Sequence, residues 1–241
     1  MTELEWQPLV ANLTTAAARA GFDLVQAFSV AHYNAAAPAT ERLDDLGRAA
    51  LPGALGVVFG NTRELWPAFT TAYTQDAALE RAEHPLDAYV VTRLSSLLAD
   101  ATSARSQLIF AHVTTPRAFP IQRLAERVGL AALSPSHLAI HPQHGPWLAL
   151  RAVAVIDVAG PPGPLPPVAR PCLGCSAPCL AALEQARLVS GEPLSSAAIA
   201  RHAGAWVAVR DACPVGRGSR YGANQLAYHY APAHSRIRPE A

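Results

Sequence analysis

Three of the four cysteines in this 241-residue chain fall within one short run, Cys172-Leu173-Gly174-Cys175-Ser176-Ala177-Pro178-Cys179, and the fourth, Cys213, stands directly before Pro214. A thiolate is a soft ligand suited to zinc, copper(I) and the iron of iron–sulfur centres. Short spacers let neighbouring sulfurs turn onto one metal centre, and a distant fourth ligand closes it. The spacing therefore points to a metal site built from Cys172, Cys175, Cys179 and Cys213.

Bacterial ferredoxins use C-x2-C-x2-C-x3-C-P, and in two-cluster members the last cysteine of each run serves the other cluster. Cys172, Cys175 and Cys179 match the first three ligands with one extra residue in the second spacer. Leu183 stands where the fourth would be, and Cys213-Pro214 matches the end of a second run whose other cysteines are missing. The pattern predicts one 4Fe-4S cluster. Three other readings stay open: a structural four-thiolate zinc site, although zinc sites favour paired C-x2-C units; two disulfides, which need an oxidising compartment; and free buried cysteines.

The remaining composition excludes several mechanisms. The chain is 51% hydrophobic with a formal net charge of +1, which fits a packed globular protein and gives no basic footprint for nucleic acid. All 19 Lys/Arg-type residues are arginine, so neither a Schiff-base lysine nor a phosphate-loop lysine is available. The start, Met1-Thr2-Glu3-Leu4-Glu5-Trp6, is acidic and lacks the features of a signal peptide, and no apolar run reaches membrane-spanning length. A cytoplasmic protein with no membrane partner is expected.

The elements that must position the cysteines follow from periodicity. Trp6, Leu9, Val10, Leu13 and Ala17 recur at helical spacing, and Gly21 ends that helix. Strands are predicted over 22–30, 55–61 and 108–113. Helices are predicted from Thr62 as N-cap, over 88–99, and over 121–128. Leu138–Ile140 and Trp147–Val158 read as the two strands of a hairpin turning at His141-Pro142-Gln143-His144-Gly145. The run Gly160-Pro161-Pro162-Gly163-Pro164-Leu165-Pro166-Pro167 cannot be helix or central strand. It divides a domain over 1–159 from a cysteine segment over 172–231, with a connector at 160–171 and a loose tail at 232–241. Within the cysteine segment, helices are predicted over 179–188 and 195–202, and Trp206–Arg210 reads as a short strand or turn. The mixture is α+β with a mostly antiparallel sheet and flanking helices.

Two segments resemble known families. Leu124-Ala125-Glu126-Arg127-Val128-Gly129-Leu130, followed by Leu138-Ala139-Ile140-His141-Pro142-Gln143-His144-Gly145-Pro146-Trp147-Leu148-Ala149-Leu150, is similar to the epoxyqueuosine reductase series that leads to ferredoxin-type cysteines. Val30-Ala31-His32-Tyr33-Asn34, Pro85-Leu86-Asp87 and the run from Ile140 to Ala152 resemble segments of CblC-type cobalamin-processing proteins. Both likenesses imply a flavin-nitroreductase-like α+β fold with cobalamin bound beside the sheet, here followed by a small ferredoxin-like iron–sulfur segment. They imply a protein that reduces or processes a corrinoid, with an electron donor such as a ferredoxin or flavoprotein.

The residues expected at the corrinoid are His32, Tyr33, His112, Ser134, Ser136, His137 and Gln143, with Asp87 as a candidate acid. Ser134-Pro135-Ser136-His137 offers small polar donors for the corrin amides, or is an ordinary turn; Asp87 caps a helix if it is not an acid. Arg217 and Arg220 either neutralise a cluster or phosphate or are solvated. Gln143 replaces the arginine of the CblC pattern, which speaks against glutathione binding. The reductase's second cluster and its domain for reading transfer RNA have no counterpart, so epoxyqueuosine reduction itself is not expected. Two further readings use the same residues: a non-catalytic corrinoid carrier or electron-transfer protein with a structural metal, and a protein of nitroreductase-like fold that binds flavin or nothing.

Overall fold

The computed structural model describes residues 5–230 apart from Ala49, Arg117 and Glu192. The acidic start at 1–4 and the expected tail at 232–241 lie outside these residues. In chain order the elements are α1 (Trp6–Arg19), β1 (Leu24–Ser29), α2 (Val30–Ala36), β2 (Ala54–Asn61), α3 (Leu65–Gln75), α4 (Ala77–Arg81), α5 (Pro85–Ala101), β3 (Ser106–Phe110), α6 (Ile121–Arg127), β4 (Ala132–Leu133), β5 (Ala139–Ile140), β6 (Ala149–Ala159), α7 (Pro178–Ser190), α8 (Ser196–Arg201), α9 (Ala203–Asp211) and α10 (Ala223–Tyr230). Among the described residues no helix is long and apolar enough to cross a membrane. The chain divides into two compact units, one made of 1–130 and 149–168, the other of 131–148 and 169–241.

The first unit is built on an antiparallel sheet in the order β1-β2-β6-β3. Every residue of β2 is buried, as its unbroken Ala-Leu-Gly-Val-Val-Phe run requires of a central strand. Gly56 lets the chain pass beneath Phe28 of β1, because a Cβ there would lie 2.2 Å from the ring. The helices bury one face each, α1 through Leu9, Leu13 and Ala17 and α5 through Leu86, Tyr89, Val90, Leu94, Leu97 and Leu98. This is the expected α+β architecture with flanking helices. One buried carboxylate is fully paired: Glu41 accepts from Arg123 at 2.7 Å and from Arg127, and the hydrogen bond from Arg123, reinforced by Arg127, holds its carboxyl below the usual range.

Several local expectations are corrected. The strand expected over 22–30 stops at Ser29, which caps an unforeseen helix, α2, by accepting from the His32 amide. Thr62 is not the cap of α3; Glu64 holds that position, and the amide and hydroxyl of Thr62 both donate to the Asp23 carboxylate. The hairpin of Leu138–Ile140 with Trp147–Val158 does not form. β5 pairs instead with β4, and β6 pairs with β2 and β3. Apolar runs flanking a turn identified these strands but carry no information about their partners. The turn at His141–Gly145 is real and is closed by a bridge between those two residues.

The second unit joins the small β4–β5 pair to helices α7 to α10. Trp206–Arg210 is helical, not a strand or turn, and lies within α9. Its Val209 packs with Cys179 and Ala186 of α7, and Leu183 and Trp206 press against that small core. Burial of the apolar face overrides the β propensity of Trp-Val-Ala-Val. Leu183, at the position of a missing fourth ligand, serves as core packing.

Candidate metal centre

Three segments of the second unit bring the cysteines together. Cys172 and Cys175 lie in a turn closed by a hydrogen bond from the Cys175 amide to the Cys172 carbonyl, 3.2 Å. Gly174 takes φ +77° there, a conformation that favours glycine. Cys179 sits in the first turn of α7 and is buried. Cys213 follows α9 and is tied back to the Arg210 carbonyl at 3.1 Å.

The Cys213 loop is held by a backbone clasp. Gly145 and Gly216, at φ +56° and +73°, pack main chain against main chain. A Cβ on Gly145 would lie 2.0 Å from the Val215 oxygen, and one on Gly216 would lie 2.0 Å from the His144 carbonyl carbon. Around the clasp, His144 Nδ1 is 2.8 Å from the Ser219 hydroxyl, and the Arg210 guanidinium donates to the Pro146 carbonyl. Arg210 and Arg220 both lie over the buried Trp147 ring, at 5.9 and 5.5 Å from its centroid.

All four cysteines line one cavity of about 440 Å³, counting the part open to solvent. Its other walls are Ser134 to Ser136, Leu138, Ile140, Pro146, Pro171, Ala177, Pro178, Val209, Pro214 and Val215. The thiols are all free of disulfides. Burial pushes the Cys172 thiol up, and the neighbouring Cys213, Cys175 and Cys179 charges push it further. Burial likewise raises Cys213, against a hydrogen bond from the Val215 amide. The Ala177 amide donates to the Cys175 sulfur at 3.4 Å. Among the described residues no three His, Cys, Asp or Glu side chains converge as tightly as one metal ion requires.

The donor set nevertheless suits a soft metal group. It consists of four thiols in an otherwise mostly apolar cavity, with amide N–H groups on two of the sulfurs. Arg217 adds a positive charge that favours the Cys213 thiolate. Arg220 is engaged elsewhere, bidentate to Asp211 at 2.7 and 3.0 Å.

The residues expected at a corrinoid fall into separate places. Ser134 and Ser136 line the cysteine cavity. His137 is exposed at φ +62° in the β4–β5 turn, and Gln143 is exposed, with its backbone N–H donating to His141 Nδ1 at 3.2 Å. In the first unit, Tyr33 is fully buried and donates to the Glu41 carbonyl at 2.9 Å. His32 holds a buried Nδ1 with no hydrogen-bond partner among the described residues. Asp87 lies in the first turn of α5, without capping it, and its Oδ1 is 3.8 Å from His112 Nδ1. The lone Nδ1 of His32 and the serine pair beside the cysteines are features that spacing alone did not disclose.

No family model and no curated protein matches the sequence. Solved structures do match in fold. The C. elegans B12-trafficking protein CblC, a human MMACHC homologue, superposes with a TM-score of 0.71 at 17% identity, covering 96% of this chain and 94% of that one. A selenomethionine-labelled epoxyqueuosine reductase gives 0.51 at 12% identity, covering 92% of this chain and 69% of that one. Epoxyqueuosine reductase from Bacillus subtilis gives 0.50 at 12% identity, covering 98% and 70%. The chain thus shares the fold of the two groups its sequence resembles.

Proposed function

We propose that this chain handles a corrinoid and carries a 4Fe-4S cluster on Cys172, Cys175, Cys179 and Cys213. The observation that carries the reading is the meeting of four free cysteines, three from one run and the fourth from a distant loop, around one cavity. The C-x2-C-x3-C run with a distant C-P favours a cluster over a single zinc ion, because zinc sites prefer paired C-x2-C units. The likeness in fold to a B12-trafficking protein supports the corrinoid. When bound, such a cluster passes single electrons from a donor protein such as a ferredoxin or flavoprotein to the cobalt, the chemistry of upper-ligand removal or of a cobalamin-dependent reduction.

The protein's own part is to hold, orient and exclude water. Cys172 and Cys213, whose thiols burial keeps protonated, give up those protons as metal binds. In the sheet unit, His32 offers the corrinoid an unused ring nitrogen. Asp87 is the candidate acid of this unit, its Oδ1 3.8 Å from His112 Nδ1 and so beyond direct hydrogen-bond reach.

Anaerobic purification followed by iron and sulfide analysis tests this, with visible spectra before and after adding cob(III)alamin and dithionite. Stoichiometric iron and sulfide with a spectral change of bound corrinoid is expected. Zinc in place of iron would leave a corrinoid carrier with a structural metal. Iron and sulfide without corrinoid binding would overturn the corrinoid half.

A further inference from the structure

The turn between β4 and β5 carries two serines almost wholly withdrawn from water: Ser134 is 7% exposed and Ser136 6%. Their hydroxyl oxygens lie 3.0 Å apart, and both residues line the cavity that the cysteines share. Two hydroxyls bring two hydrogens. One is used between the serines. Ser134 Oγ also accepts the Leu138 amide at 3.1 Å, which occupies a lone pair and consumes no hydroxyl hydrogen. One O–H is left over, and it has no nitrogen, oxygen or sulfur acceptor in bonding geometry among the described residues. A buried donor without an acceptor is costly. Apart from the serines themselves, the side-chain acceptors lining that cavity are the four cysteine sulfurs.

We propose that the Ser134–Ser136 pair donates this hydrogen to a sulfur of the metal centre and thereby sets its reduction potential; the proposal rests on the iron–sulfur reading above. A hydrogen bond to sulfur withdraws electron density and favours the reduced centre, so the pair raises the potential. The geometry holds the donor in place. Ser134 is fixed by two backbone bonds, its amide to the Leu138 carbonyl at 2.9 Å and the Leu138 amide to its Oγ. Neither serine is a ligand; both are positioning residues.

The test compares the full-length wild type with Ser134→Ala, Ser136→Ala, Ser136→Thr and the Ser134→Ala/Ser136→Ala double variant. Each is purified anaerobically, assayed for iron and sulfide, and titrated for midpoint potential. The expected result is full metal content throughout. In the double variant the potential should fall by roughly a tenfold change in the reduction equilibrium, 59 mV for one electron. Ser136→Thr, which keeps a hydroxyl, should stay near wild type. A deuteron coupling at the reduced centre after exchange into D2O should be present in wild type and absent in the double variant. Full iron and sulfide with an unmoved potential would overturn the serine role and leave the cluster reading intact. A wild type lacking iron and sulfide would overturn both. Should the double variant fail to load, the two single alanine variants decide: a shift in either supports the pair, and none in both overturns it.

Discussion

Glu41 in the sheet unit and Cys172 in the cysteine unit are both acids drawn away from water, and their surroundings treat them in opposite ways. Glu41 meets two arginines, so its carboxyl is held charged and its region is complete without anything added. Cys172 meets three further thiols, each of which makes its ionisation harder. Folding leaves a cluster of like groups together only when something else repays the cost. Around Glu41 the sheet unit is finished by its own side chains. Under the function proposed above, a positively charged guest finishes the cysteine unit.

The contrast can be broken most severely at the ligands. Cys213→Ser and Cys179→Ser should each reduce iron and sulfide content to a small fraction of wild type and lower the thermal stability of the protein as purified. Glu41→Gln should leave metal content unchanged. Elemental analysis beside calorimetry separates the two. Gly216→Ala comes next. It places a Cβ against the His144 backbone and strains a residue at φ +73°, so it should loosen the Cys213 loop and cost about 1–3 kcal/mol. It should also speed metal loss to a chelator.

Glu41→Gln itself removes one charged partner from two arginines and should cost about 1.5–3 kcal/mol in denaturant unfolding. Because the folded chain holds the Glu41 carboxyl below its ordinary value, its contribution is complete above the unfolded pKa of about 4.3 and vanishes as the pH falls through the lowered value. Wild type and Glu41→Gln should therefore converge in acid. The smallest effect runs the other way. Cys172 and Cys213 must shed protons to ligate, and both are raised by burial, so reconstitution of metal-free protein should become faster as pH rises above neutral. A pH-independent rate would remove the reason for pairing these two acids as opposites.

Much of this arrangement was legible in the residues. The cysteine spacing selected the four thiols that the fold brings to one cavity, and the central strands followed from continuous apolar runs such as Leu55–Phe59. What escaped was whatever depends on a distant partner. The apolar runs Leu138–Ile140 and Trp147–Val158, either side of a turn, suggested one hairpin, yet each segment pairs elsewhere. Trp206–Arg210 has the composition of a strand and becomes helix because Val209 faces Cys179 and Ala186. Ser134 and Ser136 were expected beside a corrin ring. Nothing local reveals that their turn forms a wall of the cysteine cavity.

The glycine clasp has a practical corollary for anyone transplanting the cysteine unit. The loop bearing Cys213 is shaped by His144 and Gly145, which precede β6, while the other three cysteines follow it. A single cut after the proline-rich connector would yield a fragment with all four thiols but without Ser134, Leu138, Ile140 and Pro146, residues that wall their cavity. The portable part is discontinuous: residues 131–148 must travel with 169–230, rejoined by a new linker or a circular permutation.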